Sequence, residues 1–131
     1  MNFLKKSILY FKKPKVIVVI ADKKKSPAKV IFEVLKPRFE VKKLYEKIPN
    51  ILSLLNTEIF IIETNFKSDE FLKDIKILFK NSQSPILVVT HIEMTNSLQE
   101  NFSVIGSKKI ENIKTLALKI PPSGSLILNF D

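Results

Sequence analysis

Residues 15–29 read KVIVVIADKKKSPAK, an uninterrupted β-branched run followed by a polar turn and the start of an amphipathic segment. Runs such as 16–20 are typical of strands that are buried on both faces of a parallel sheet. Ser26 can cap a helix that has Pro27 at its first position and extends to about Leu35. The stretch therefore predicts a strand, a turn and a helix in immediate succession, which is the layout of a phosphate-binding loop.

The turn between this strand and this helix departs from that layout in one respect. The phosphate-binding signature is G-x-x-x-x-G-K-[ST], because glycines let the backbone N–H groups point at the phosphates. When the signature is aligned on Lys25 and Ser26, its glycine positions fall on Val19 and Lys24. Lys24 resists the φ values that glycine adopts freely. We therefore expect the lysine and the hydroxyl of such a loop without its backbone cradle.

The rest of the chain alternates between strand-like and helix-like segments. Strands are predicted at 39–44, 58–63, 86–89, 102–105 and 125–129, helices at 2–11, 68–80 and 107–118, and short helices or loops at 48–56 and 95–101. Strands joined by helical crossovers form right-handed βαβ units. We therefore expect an α/β fold with a three-layer, mostly parallel sheet flanked by helices. Its central neighbours should be the runs 16–20, 59–62 and 86–89.

Two helices have clear apolar patterns. Ser68 caps the longer one, in which apolar residues recur at three- and four-residue steps: Phe71, Leu72, Ile75, Leu78 and Phe79. The other is a lead-in helix within residues 1–13, and residues 14–131 are expected to form the central α/β domain. The apolar side of the lead-in helix is predicted to comprise Phe3, Leu4, Ile8 and Phe11. We expect this helix to pack on the domain, with a membrane surface as the alternative because lysines surround its apolar patch.

The composition excludes several classes of protein. A chain of 131 residues suits one domain, and the absence of Cys excludes disulfides and Cys-based metal sites. No apolar run approaches the roughly 20 residues that span a bilayer. The first residues also lack the small-residue cleavage site of a signal peptide. We therefore expect a cytoplasmic location and no transmembrane segment.

The net charge of +9 comes almost entirely from lysine, since Arg38 is the only arginine. Nucleic-acid interfaces favour arginine for bidentate contacts. The pattern thus favours a lysine-rich solvated surface without a specific nucleic-acid partner. Non-specific attraction to nucleic acid or anionic lipid follows from the charge alone.

Polar residues follow the predicted strands at the ends where parallel sheets bind ligands. They lie in Ala21 to Ser26 after the first strand, Glu63 to Asn65 after the third, Thr90 and His91 after the fourth, and Asn129 to Asp131 after the last. Each has a simpler reading as well. Lys25 can be part of a solvated turn, Ser26 only a helix cap, and Glu63 or His91 only a side chain at the rim.

In their order and spacing these segments resemble the central ATP-binding domain of the Mur ligase family. The resemblance is to the branch that joins UDP-MurNAc-tripeptide to D-alanyl-D-alanine. It rests first on the family's loop, G-[TS]-x-G-K-[TS]-[TS]-T-K, in which Ala21 and Lys24 take the glycine positions, Lys25 and Ser26 the Lys-Thr and Lys29 the last lysine. It rests also on three later segments that resemble family motifs: TEIFIIE at 57–63, SPILVVTHI at 84–92 and IPPSGSLILNFD at 120–131.

The resemblance implies a P-loop or Rossmann-like ATP-binding domain of an ATP-dependent amide ligase of peptidoglycan precursors, with ATP and Mg²⁺ as cofactors. Lys25 would hold the β- and γ-phosphates, and Lys24 and Asp22 would belong to the same nucleotide site. Ser26 and Glu63 would bind Mg²⁺. A UDP-muramyl-peptide would be the substrate.

The chain also departs from the family. Ile113, with Lys114 beside it, stands where the family carries its carbamate-forming lysine, and the Asp-His pair expected after Ile92 is missing. The matched part covers only a portion of the central domain. We therefore expect a degenerate, truncated domain without turnover that self-associates or pairs with a fuller ligase. Two alternatives stay open: a non-catalytic interaction module on the same fold, and a basic protein that binds nucleic acid or a membrane surface.

Overall fold

The computed structural model describes residues 1–21, 26–65, 69–90 and 110–128. Their helices are α1 (Phe3–Lys12), α2 (Ala28–Leu35), α3 (Ile51–Asn56), α4 (Asp69–Lys80) and α5 (110–118). Their strands are β1 (Lys15–Ile20), β2 (Val41–Tyr45), β3 (Ile59–Thr64), β4 (Ile86–Val89) and β5 (Ser125–Leu128). The predicted segments 95–101 and 102–105 and the caps Ser68 and Ser107 lie outside the described residues.

The strands form one five-stranded sheet in the order β2-β3-β1-β4-β5, and every neighbouring pair is parallel. Ile17 at the centre of β1 is in register with Ile61 on β3 and with Ile86 on β4. The prediction of an α/β parallel sheet is therefore confirmed, with the three most apolar runs as central neighbours.

Helices cover both faces of the sheet, which makes three layers. The crossover through α2 runs from β1 over β3 to β2, whereas the crossover through α4 runs in the opposite direction from β3 over β1 to β4. Because both are expected to be right-handed, they place their helices on opposite faces. Buried residues of α1, α3, α4 and α5 form the larger core with one face, and α2 packs on the other.

Helix α4 shows how directly a local pattern becomes a core. All of its predicted apolar positions are buried: Phe71, Leu72, Ile75, Leu78 and Phe79. Asp69 and Glu70 lie in its first turn and Lys80 in its last, which suits the helix dipole. The prediction for this helix is confirmed.

Helix α1 forms where predicted, but the prediction of its buried side is wrong. Leu9 is fully buried, and Ile8 packs against the same core, whereas Phe3 and Phe11 are 85% and 83% exposed. Four of its six apolar or aromatic residues lie on the exposed side and Leu9 lies on the opposite side, so the apolar pattern did not identify the inner side. The amino-terminal ammonium of Met1 lies 3.2 Å from the carboxylate of Asp74 on α4, a contact that orients the helix.

Strand β2 begins two residues later than predicted, at Val41 rather than Phe39. The amide of Phe39 still donates to the carbonyl of Leu35 at the end of α2, so this residue belongs to the turn. The carbonyl of Glu40 is the first to accept hydrogen bonds from the neighbouring strand region. None of the helices in the described segments is long and apolar enough to cross a membrane.

Candidate functional site

The carboxyl ends of β1, β3 and β4 form a single edge. The amide of Ala21, just after β1, donates to the carbonyl of Thr64 at 3.2 Å, and the amide of Thr90, just after β4, donates to Ile20 at 3.1 Å. The chain leaves β1 toward β2 and leaves β4 toward β5, so two adjacent strands send it in opposite directions. Such a switch point is where open α/β sheets bind their ligands.

Glu63 lies on this edge, and only 5% of it is exposed. It is in register with Val19 on β1 and Tyr45 on β2, which places its side chain on the sheet face covered by α2. Ala28 at the start of α2 packs in the same cluster as Val19. The buried carboxylate and the beginning of α2 therefore lie on the same face of the sheet.

The sequence predicted Ser26 as the cap of α2 with Pro27 as its first residue, but Pro27 is the N-cap and α2 begins at Ala28. Ser26 still contacts the start of this helix. Its Oγ accepts a hydrogen bond of 3.2 Å from the amide of Ala28. Pro27 has no N–H group, and the amide of Ala28 is already bonded to Ser26. Two of the backbone donors that the start of a helix could offer to a phosphate are therefore absent or occupied. The hydroxyl oxygen retains a second lone pair, which leaves Ser26 able to bind a ligand while it accepts from Ala28.

The Ala21 amide is also unavailable to a ligand. The resemblance places Ala21 at a glycine of the phosphate-binding loop, but its N–H continues the hydrogen bonding between β1 and β3. Its side chain is buried against the face covered by α2. The described part of the loop thus offers a ligand fewer backbone donors than a glycine-containing loop does.

Glu46 has a role at this edge that the sequence did not reveal. It follows β2 with φ of 51°, and its amide donates to the carbonyl of Glu63 at 2.9 Å. Its Oε1 accepts from the hydroxyl of Thr64 and from the amide of Asn65, each at 2.9 Å. The carboxylate therefore holds the end of β3 in place. The only sequence signal was a carboxylate directly after a strand that ends at the binding edge.

Two polar atoms beside β1 have no hydrogen-bond partner in the described part of the chain. They are the Oδ1 atom of Asn65 and the Oγ1 atom of Thr90, and both are buried. The backbone pairing places these residues on either side of the end of β1. Buried polar atoms are normally satisfied by protein groups, water or a ligand, and both residues adjoin segments that lie outside the described residues.

Several predicted site residues lie outside the described residues. They are Asp22, Lys24, Lys25, His91 and the segment 129–131. Among the described candidates, Ile113 packs against the larger core, and Lys114 is exposed on α5. The side chain that the resemblance aligns with a carbamate-forming lysine therefore contributes to packing.

Within the described residues, no three His, Cys, Asp or Glu side chains converge on one point. Mg²⁺ needs fewer protein ligands when it binds with a nucleotide, because phosphate oxygens and waters complete its octahedron. Glu63 and Ser26 supply the hard oxygen atoms that this ion prefers, so the two residues fit a metal held jointly with a phosphate.

The chain matches no protein-family model, no curated protein and no solved structure. The fold and the edge described above therefore carry the functional argument by themselves.

Proposed function

We propose that this chain is a Mur-ligase-like domain that binds a nucleoside triphosphate with Mg²⁺ weakly and does not turn it over. One observation carries the proposal: the end of β1, after which the sequence continues with Lys24, Lys25 and Ser26, lies beside the buried Glu63 on β3. A lysine-containing loop next to a strand-end carboxylate is the arrangement that holds a phosphate and its metal.

The residues would act as follows. Lys25 would neutralise the β- and γ-phosphates as a point charge, with Lys24 and Asp22 in the same loop. Ser26 and Glu63 would bind Mg²⁺, which when present shields the charge of the phosphates. The unpartnered oxygens of Asn65 and Thr90 would face the polar groups of the nucleotide.

The same residues argue against turnover. The amide of Ala21 and the amide of Ala28 are already used, so few backbone donors remain to stabilise a transferring phosphoryl group. Ile113 occupies the core in place of a carbamate-forming lysine. We therefore expect no ATPase or ligase activity with a UDP-muramyl-peptide acceptor.

Titration with ATP and Mg²⁺ tests the proposal. We expect a Kd in the millimolar range, which corresponds to about 4 kcal/mol or less. Amide chemical shifts of Ser26, Asn65 and Thr90 should move on binding. Lys25→Ala should abolish these changes, and Glu63→Gln should remove their dependence on Mg²⁺. Lys73→Ala, an exposed lysine on α4, is the matched control.

Two results would contradict this function. Micromolar affinity abolished by Lys25→Ala would show that the loop is intact rather than degenerate. Chemical-shift changes that Lys73→Ala reduces as much as Lys25→Ala does would show that ATP binds only the general positive charge of the surface. Changes located away from the strand ends would show the same.

A second function, a non-catalytic interaction module, is favoured by the edge strand β5. It ends the described sheet, and Leu126, Ile127 and Leu128 are 44%, 53% and 44% exposed. Exposed edge strands accept a strand from another chain. Self-association that Ile127→Lys abolishes would support this function, and a concentration-independent monomer would exclude pairing between copies.

A further inference from the structure

Helix α1 exposes an uncharged stripe along the side that faces away from the core. With 3.6 residues per turn, Phe3, Leu4, Ser7, Tyr10 and Phe11 fall within an arc of roughly 120°. The four apolar or aromatic members of this arc are all exposed. No basic or acidic residue lies within the arc. Solvent-facing helix sides of soluble domains are normally polar, so this stripe needs an explanation.

Helix α3, which packs beside α1, exposes two further apolar side chains. The Nζ atom of Lys12 at the end of α1 donates to the carbonyl of Leu55, which ties the two helices together. Leu52 and Leu55 of α3 are both exposed. We call the combined area the α1–α3 surface, and it consists of Phe3, Leu4, Tyr10, Phe11, Leu52 and Leu55.

Lysines border this surface, and neither of its helices contains a carboxylate. On the side away from α3, Lys6, Lys13 and Lys80 line a cleft of about 510 Å³ together with Tyr10. The Nζ atom of Lys13 lies 6.0 Å from the centre of the Tyr10 ring. On the other side, Lys12 lies between α1 and α3. An apolar area with positive charge along its borders is thus the dominant feature here.

We propose that the α1–α3 surface docks onto an anionic lipid bilayer. The stripe would enter the boundary between headgroups and acyl chains, and the lysines along its borders would contact the phosphates of the headgroups. Amphipathic helices with aromatic residues on one side and lysines beside them bind bilayers in this way. The inference is independent of the nucleotide site, since α1 and α3 pack on the face opposite α2.

Charge complementarity selects this occupant over two others. A second copy bound face to face would bring the same lysines against each other, which is unfavourable. A nucleic-acid duplex would satisfy the lysines but offer no apolar partner for Phe3, Phe11, Leu52 and Leu55. Of these three occupants, the anionic bilayer alone provides negative charge at the border and an apolar interior at the centre.

Flotation of the full chain with vesicles tests the proposal. The vesicles contain either phosphatidylcholine alone or two parts phosphatidylcholine to one part phosphatidylglycerol. We expect binding to the anionic vesicles only. The bound fraction should fall at about 1 M salt, where the Debye length shrinks to about 3 Å.

Two sets of variants test the apolar stripe and the lysines along its borders separately. Phe3→Ser with Phe11→Ser should lower the partition coefficient at least about tenfold, because both rings lose their apolar environment. Lys6→Gln with Lys80→Gln should lower it about fivefold for each lysine removed. The matched controls are Val30→Ser with Val34→Ser, which are similarly exposed on α2, and Lys29→Gln with Lys43→Gln. The controls should bind as the unchanged chain does.

All exchanged side chains are exposed, so circular dichroism and thermal melting should confirm that each variant folds. Equal binding to neutral and anionic vesicles, or equal loss in the α2 controls, would overturn the proposal. The proposal would also be overturned if the unchanged chain self-associated without binding vesicles and the Phe3→Ser, Phe11→Ser variant lost that self-association. Lysine-dependent binding to duplex DNA without vesicle binding would also overturn it.

Discussion

Gly124 precedes β5 at a point where the backbone leaves no room for a side chain. A Cβ atom at this position would lie 2.5 Å from the Cγ2 atom of Ile120 and 2.7 Å from the carbonyl oxygen of Pro85. The Ile120 methyl group can move away by rotation, but the Pro85 oxygen belongs to the backbone. That oxygen accepts the hydrogen bond of 2.9 Å from the amide of Ser125, which starts the pairing of β5 with β4. Gly124→Ala therefore forces the backbone of β5 away from β4.

The size of the effect follows from these two contacts. Overpacking of one methyl group against immobile atoms costs about 1–3 kcal/mol. Loss of the hydrogen bond between Ser125 and Pro85 adds about 1 kcal/mol. We thus expect about 2–4 kcal/mol of strain in the native state. Because β5 is an exposed edge strand, local release of this strand can relieve part of the strain.

Urea denaturation measures the loss of global stability, and amide hydrogen exchange measures the local release of β5. The midpoint of unfolding should fall, and the amides of 125–128 should lose protection before those of β1 and β3. Ser123→Ala, an exposed neighbour in the same turn, is the control and should change neither quantity. Unfolding within about 0.5 kcal/mol of the unchanged chain, together with unaltered protection of β5, would refute the steric argument.

Three further predictions concern single residues. Leu9→Ala should destabilise the fold by about 2–5 kcal/mol, whereas Phe11→Ala should stay within about 0.5 kcal/mol, as measured by urea unfolding. A larger loss of stability in Phe11→Ala than in Leu9→Ala would show that the side predicted from the sequence is the buried one. Glu46→Gln should cost about 1–3 kcal/mol by weakening its bonds to Thr64 and Asn65, with Glu40→Gln as control, and equal costs would refute its role. The hydrogen bond from Lys36 lowers the pKa of Glu33 below its ordinary value of 4.5. Its contribution to stability is present above pH 4.5 and is lost as the pH falls through the lowered pKa, so Lys36→Gln should raise the pKa in a carboxyl NMR titration.

Part of the candidate site could be predicted because parallel strands bring their carboxyl ends to one edge. That rule placed Glu63, Asn65 and Thr90 together before any contact was known. It could not reveal Glu46, since its bonds to Thr64 and Asn65 join residues far apart in the chain. Nor could it reveal that the Ala21 amide is used within the sheet rather than offered to a ligand.

The sequence by itself determined β1, β3, β4 and α4. Continuous β-branched runs and a three- and four-residue apolar period are local properties, and each has one favourable way to be buried. Only the tertiary structure decided which side of α1 is buried. Most of its apolar residues lie on the side that is exposed, so the choice depended on where α3 and α4 pack against it. Burial selected Leu9 and left Phe3 and Phe11 in solvent, because the inner side of a helix is defined by its neighbours and not by its own residues.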